Sequence, residues 1–402
     1  MRIRAALPLV VSLPVLWAPA AVASGDRVVL LPPENATAAA EAPAQVAAAL
    51  ADALAGRGWQ VVDGDAVDTI LYAARERRVD SLPAPLRAEL LHSLDATGVV
   101  FSSVDSWSEG SDPIVAVSAR WLDADGRLVW SATAGRSAAQ TADALGFHRA
   151  ADAPEVARSV LEDLVRTMPH PGAEARPTGR RARPFARPRS VTFRSPDFPT
   201  DQPIRVFVVP FANDTHDRSA PRLVAELLAR RLAASGSFDV VEPGDFRAAL
   251  LAERVPSLAW LNPDRMRTVG ARLGTPLFVR GTVWRWREGA IGGGSMAPAI
   301  ELELELVDAD RGRVLWAAHL AREGTDYSGL FLRGSIESAA VLADQMLAEM
   351  IDAVLAAHAP TGPARPLAGA VPARRVTAGA SPATDLRSPS ASPSTVPGES
   401  RP

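Results

Sequence analysis

Short runs of apolar, mostly β-branched residues recur along this chain, each followed by a stretch whose apolar positions return with helical period. Val206-Phe207-Val208-Val209 is one such run; it stops at Pro210 and turns through Asn213-Asp214-Thr215 into a segment with Val224, Leu228 and Leu232 on one face. An unbroken apolar run suits a strand buried on both faces, and the following pattern suits an amphipathic helix. Val28-Val29-Leu30-Leu31 opens the same plan earlier, through Asn35 and Thr37 to Val46, Leu50 and Leu54. Asn35 and Asn213, Thr37 and Thr215, Pro43 and Pro221, and the three helix-face pairs are all 178 positions apart. A constant offset through a turn and a helix face indicates one α/β module present twice in tandem.

The first module is expected over 26–168. After its opening strand and helix, Trp59 to Val62 reads as a second strand. Helices follow on Val67, Ile70 and Leu71 and over Leu86 to Leu94, and Gly98-Val99-Val100-Phe101 begins another strand. Ile114 to Leu122 and Arg127 to Trp130 flank Asp123-Ala124-Asp125-Gly126, a hairpin signal, and Pro154 to Thr167 closes the module as a helix. The second module, 203–357, repeats the order. Phe238 to Val241 is its second strand, and Asn262-Pro263 starts a helix that Gly274 ends. Leu277 to Val283 is the next strand. Ile300-Glu301-Leu302-Glu303-Leu304-Glu305-Leu306 alternates strictly, so a leucine face is buried and a glutamate face meets water. Asp308 to Gly312 turns into Arg313-Val314-Leu315-Trp316, which gives Trp316 the role of Trp130. A helix from Ile336 to Leu355 ends the module.

Residues 169–202, rich in proline and arginine, read as an extended linker, and 358–402, rich in Pro, Ala and Ser, as a disordered tail. Residues 1–23 read as a cleaved export signal: Arg2 and Arg4, an apolar stretch from Leu7 to Trp17, and the small-x-small site Ala21-Val22-Ala23. With no cysteine in the chain, a lipoprotein anchor, disulfides and thiolate chemistry are excluded. No later apolar run is long enough to span a bilayer. The expected address is the periplasm.

The chain has 402 residues, of which 47% are apolar, enough for two cores. A net charge of −3 argues against a nucleic-acid partner. All 43 basic residues are arginine, which rules out a lysine-based phosphate loop, a Schiff base and a Ser–Lys pair. Nothing in the sequence calls for a cofactor.

Three groups of residues are candidates for function. Asn35, Thr37, Asn213 and Thr215 lie where a strand hands over to a helix, a position that either holds a ligand crevice or simply folds the turn. Trp284 and Trp286, two apart in a strand, are expected on one face as an interaction surface, while Trp107, Trp121, Trp130 and Trp316 suit packing. Arg180, Arg181, Arg183, Arg187 and Arg189 in the linker could contact a polyanion or serve as solvated spacer. His216 between Asp214 and Asp217, and the pairs Asp123/Asp125 and Asp308/Asp310, are read as turn chemistry rather than metal or acid–base sites. Gly292-Gly293-Gly294-Ser295 reads as a flexible loop.

Val208-Val209-Pro210-Phe211 with Asn213 and Thr215, the strand opening at Leu277, and Val307-Asp308-Ala309-Asp310 followed by Gly312-Arg313-Val314-Leu315-Trp316 together resemble the TolB amino-terminal and CsgG-like domains of the bacterial envelope. The resemblance covers nearly all of the second module and, more weakly, the first, where Pro33 stands in place of Phe211. It implies a small mixed-sheet α/β fold and a non-enzymatic periplasmic assembly or accessory role. Its partners would be envelope proteins or further copies of the chain. The β-propeller of TolB and the membrane hairpins of CsgG-like pores have no counterpart. A periplasmic protein binding a small ligand or glycan at the Asn213 crevice is the alternative.

Overall fold

The computed structural model describes residues 26–142, 149–171, 189–199, 201, 203–255, 262–289, 297–328 and 335–356. The export signal, linker residues 172–188, the glycine loop at 292–295 and the tail lie outside the described residues.

The first half runs β1 (Arg27–Leu30), β2 (Glu34–Asn35), α1 (Ala42–Ala55), β3 (Gln60–Val62), α2 (Asp65–Ala73) and α3 (Ala84–Ser93). It continues through β4 (Gly98–Trp107), β5 (Ile114–Asp123), β6 (Leu128–Ser137), the short α4 (Ala138–Thr141) and α5 (Ala153–Arg166). Its sheet is ordered β3-β1-β4-β5-β6, parallel as far as β4 and antiparallel beyond, with β2 added beside β4. The second half opens with β7 (Arg189–Arg194), β8 (Ile204–Val208), β9 (Ala212–Asn213), α6 (Ala220–Ala234), β10 (Phe238–Val240) and α7 (Pro243–Ala252). Then come α8 (Pro263–Leu273), β11 (Leu277–Arg287), β12 (Ala299–Asp308), β13 (Arg313–Glu323) and α9 (Ala339–Ala356). Its sheet, β10-β8-β11-β12-β13-β7 with β9 beside β11, repeats the first with one strand more.

That additional strand corrects the linker expectation. Arg189–Arg194 pairs antiparallel with β13, Phe193 opposite Ala317, and so belongs to the second sheet. A pattern of arginines around Val191 and Phe193 gave no periodic signal, and only the open edge of β13 recruits it.

In each half one pair of helices covers one face of the sheet. Val46, Leu50 and Leu54 of α1 and Val160 and Leu164 of α5 pack on Val28, Leu30, Val100, Val117 and Trp130. In the second half Val224, Leu228 and Leu232 of α6 and Met346 and Ile351 of α9 pack on Val206, Val279, Leu302, Leu304 and Leu306. Burying each such side chain contributes about 1.5–3 kcal/mol, so the helix faces predicted from spacing are what hold the sheets. The parallel strands are covered on their other side too. Val29, Leu31 and Val99 meet Val67 and Leu90, while Phe207 stacks 5.3 Å from Phe246 and 5.7 Å from Phe278. Two-sided burial explains why β1 and β8 read as unbroken apolar runs. The α8 boundaries match their signals: the Asn262 side chain accepts from Arg265 N, and Gly274 ends the helix at φ 73°.

Candidate interaction face

Beyond the parallel strands, one face of β11, β12 and β13 carries no helix among the described residues. Strict alternation produces it: Leu302, Leu304 and Leu306 point into the core, and Glu301, Glu303 and Glu305 point outward, half-buried. Each glutamate finds a cross-strand partner. Arg280 donates to Glu305 at 2.7 Å, Trp284 Nε1 donates to Glu303 at 3.0 Å, and the His319 ring lies 3.0 Å from Glu301. Arg285 stands 4.0 Å from Glu301. Trp284 is 44% exposed, and Phe193, brought in by β7, is 52% exposed. The face is therefore a ladder of paired charges with two large aromatic groups in water.

The two tryptophans do not share it, which corrects the sequence expectation. The register of β11 against β12 shifts between Val283 and Arg285, a bulge that inserts Trp284 as an extra residue. Trp284 stays outward, whereas Trp286, opposite Ile300, turns inward and packs against the helix-side core. The first sheet has the same bulge between Val104 and Ser106, so Asp105 occupies the position of Trp284 and Trp107 that of Trp286.

Both Asn–x–Thr turns are built alike. Asn35 Oδ1 accepts from the backbone N and Oγ1 of Thr37, and Asn35 Nδ2 donates to Ala39 O at 2.8 Å. Asn213 Oδ1 accepts from the same atoms of Thr215, and its Nδ2 donates to Asp217 O at 2.8 Å. Asp217 Oδ1 then accepts from Ser219 N and Ala220 N at the start of α6. Asp123 and Asp308 likewise accept backbone N–H groups of their own hairpin turns. His216 is exposed, and no cluster of potential metal ligands occurs among the described residues. Arg180, Arg181, Arg183 and Arg187 lie outside the described residues; Arg189 begins β7, and its side chain is likewise not described.

What sequence reasoning missed is where the matching face of the first sheet goes. It is covered by α6 and α9 of the second half. Arg230 of α6, buried, donates to Ala119 O at 3.2 Å, Ala132 O at 3.4 Å and Thr133 Oγ1 at 3.3 Å. Arg120 forms a two-pronged pair with Glu242 at 2.6 and 2.7 Å, donates to Asp80 O at 2.8 Å, and stacks 4.4 Å over the Phe101 ring. Arg247 reaches Ser81 and Glu76, and Asp245 accepts from Ala84 N. Two glycines permit the close approach. A Cβ on Gly135 would sit 2.9 Å from Val341 of α9, and one on Gly244 would sit 2.4 Å from the Leu82 backbone.

Carboxyl groups are trapped in this contact. Asp105 accepts from Ser118 at 3.1 Å, its Oδ2 has no partner, and burial pushes its pKa up to about 6. Burial likewise pushes Glu226 of α6 up to about 7, against the pull of Arg222. Beside Glu226 lies a cavity of about 20 Å³ lined also by Ser103, Ser118 and Arg230, room for one water. A signal was present in the sequence. Where β12 carries outward Glu301 and Glu303, β5 carries Ala116 and Ser118, and small residues on an outward face mark a face that is covered.

No family model and no curated protein matches the chain. Solved structures to which the chain shows similarity include a PelC dodecamer from Paraburkholderia phytofirmans, at 21% identity over 40% of this chain and 95% of that one, TM-score 0.27. Lipoprotein GNA1162 from Neisseria meningitidis matches at 15% identity over 38% and 99%, TM-score 0.28. TolB from Acinetobacter baumannii matches at 17% identity over 42% of this chain and 32% of that one, TM-score 0.22. With TM-scores below 0.3, none of these similarities carries an activity to this chain. Among the described residues no helix is long and apolar enough to cross a membrane.

Proposed function

We propose that this protein is a non-enzymatic accessory or assembly factor of the bacterial envelope, working by protein–protein docking on the outward face of β11–β13. In this reading 1–23 is a cleaved export signal, the mature protein is periplasmic, and the two modules are TolB-N/CsgG-like copies of an ancestral one. The carrying observation is that the equivalent face of the first sheet already serves as a docking surface, bearing α6 and α9, whereas this one leaves Trp284 and Phe193 in water. Exposed aromatics beside paired charges are the composition of a recognition surface, since aromatic groups supply buried area and the charges fix orientation. A small ligand or glycan at Asn213 would have to displace the hydrogen bonds that close its turn.

Photocrosslinking in the producing cell tests this. A photoreactive residue in place of Trp284 should give a discrete protein adduct, and one in place of Tyr72, 87% exposed on α2, should not. Absence of any adduct from positions 284, 193 and 319 in a folded, exported protein would sink the proposal.

A further inference from the structure

The two modules are stacked in a way that does not close on itself. The outward face of the first sheet lies on the helix pair of the second module, while among the described residues the helix pair of the first module and the outward face of the second sheet are both left over. We propose that the outward face of β11–β13 seats on the α1/α5 groove of a second copy of this chain, repeating between chains the contact made within one. This rests on the docking reading of that face and names its partner.

Register makes the comparison residue by residue. The matching bulges place Asp105 with Trp284, Ser118 with Glu303 and Thr133 with His319. Arg136 pairs with Asp163 of α5 as Arg322 pairs with Glu349 of α9, which aligns Arg158 with Asp344. The 178-position offset of α1 and α6 aligns Asp52 with Arg230 and Ala48 with Glu226. Ala48, Asp52 and Arg158 all line the exposed groove between α1 and α5, a depression of about 800 Å³.

The charges change together on the two sides. Arg230 meets Thr133 and the carbonyls of Ala119 and Ala132 within the chain; Asp52, its counterpart, would meet His319 and give up the carbonyl contacts. Asp344, held by Arg231, is an acid near enough to act on the buried Asp105 within the chain; Arg158 would stand there towards Trp284 and Glu303, a cation for a ring and a carboxylate. Glu226 gives way to Ala48 where Arg120 gives way to Glu305, which takes one acid away from that glutamate, although Arg230, which also acts on Arg120, gives way to the acidic Asp52. Complementarity of this kind sets register and partner choice. One internal pin has no counterpart. Arg120–Glu242 corresponds to Glu305 and Asp63, both acidic, and Glu305 is held by its own Arg280. The contact between chains is accordingly weaker than the one within, and concentration-dependent. Because face and groove are different surfaces, repetition builds a ring or an open chain rather than a two-fold dimer.

Sedimentation velocity of the mature full-length chain, from low to several hundred micromolar, reads the association. A face variant (Trp284→Ala with Glu303→Ala) and a groove variant (Ala48→Glu with Arg158→Glu) are run alone and as an equimolar mixture. Should the groove variant misfold, Ala48→Glu alone, on the exposed side of α1, replaces it. The expected result is association of the wild type beyond dimer, loss of association in each variant alone, and a doubling of mass to a single heterodimer in the mixture. A wild type that stays monomeric overturns the proposal, leaving the docking reading intact if position 284 crosslinks a different protein. A groove variant that still dimerises means a face-to-face contact, and two variants that both associate as wild type mean another surface; either result overturns it.

Discussion

Replacing Glu242 by alanine removes the carboxylate that is hydrogen-bonded to Arg120 between the modules, leaving only the more distant Glu226 and Asp80 to act on its charge among the described residues. The Arg120 and Glu242 side chains are close to fully buried, at 10% and 8% exposure. The guanidinium would keep one carbonyl, Asp80 O at 2.8 Å, and the Phe101 ring. An uncompensated charge in such a site costs roughly 3–5 kcal/mol, whereas exchanging both partners for apolar groups of similar size is often neutral. Glu242→Ala should therefore lose about 3–5 kcal/mol, and the double variant Arg120→Met/Glu242→Leu no more than about 1 kcal/mol. Urea titration followed by tryptophan fluorescence measures both, since Trp59, Trp121 and Trp130 all lie in the first module. Uncoupling the modules should also split one transition into two. A single-variant loss below about 1 kcal/mol, or a double variant as damaged as the sum of its singles, would show that the pair does not hold the modules together.

Asp105 has a folded pKa near 6 against an ordinary value of 3.8, so the folded state binds more protons between those values. Its contribution to stability is present below pH 4 and lost as pH rises through 6, on the order of 2–3 kcal/mol. Thermal melts at pH 5 and pH 8 should differ in that direction; Glu226, raised to about 7, acts in the same sense, so Asp105→Asn should narrow the difference without abolishing it. Gly135→Val should force α9 away from the first sheet and cost about 1–3 kcal/mol, seen as a lower urea midpoint. Asn262→Ala removes the α8 cap and should cost about 1 kcal/mol, a local change that leaves the inter-module transition unsplit.

Much of this architecture was legible because it is local. The runs at Val28 and Val206, the helix faces through Leu50 and Leu228, both hairpin turns and the glutamate face of β12 all follow from periodicity and turn chemistry. Three features escaped because they are decided by distant chain. The bulge at Trp284 depends on how β11 meets β12, and nothing in Trp284-Arg285-Trp286 announces it. The strand at Arg189–Arg194 exists because β13 offers an edge. The burial of the first sheet's outward face depends on helices more than a hundred residues away, and its trace was the row of small residues in β5.

The central claim is that the outward face of the second sheet is a surface made to be covered, as its counterpart in the first sheet already is. The natural chain has no cysteine, so single cysteines report cleanly. Maleimide labelling of Trp284→Cys, with Ser118→Cys at the covered position as reference, should be compared in dilute purified protein and in intact cells made permeable to the reagent. The account predicts fast labelling of position 284 and slow labelling of position 118 in the purified protein, with both slow in cells. Equally fast labelling of position 284 in both settings would contradict it.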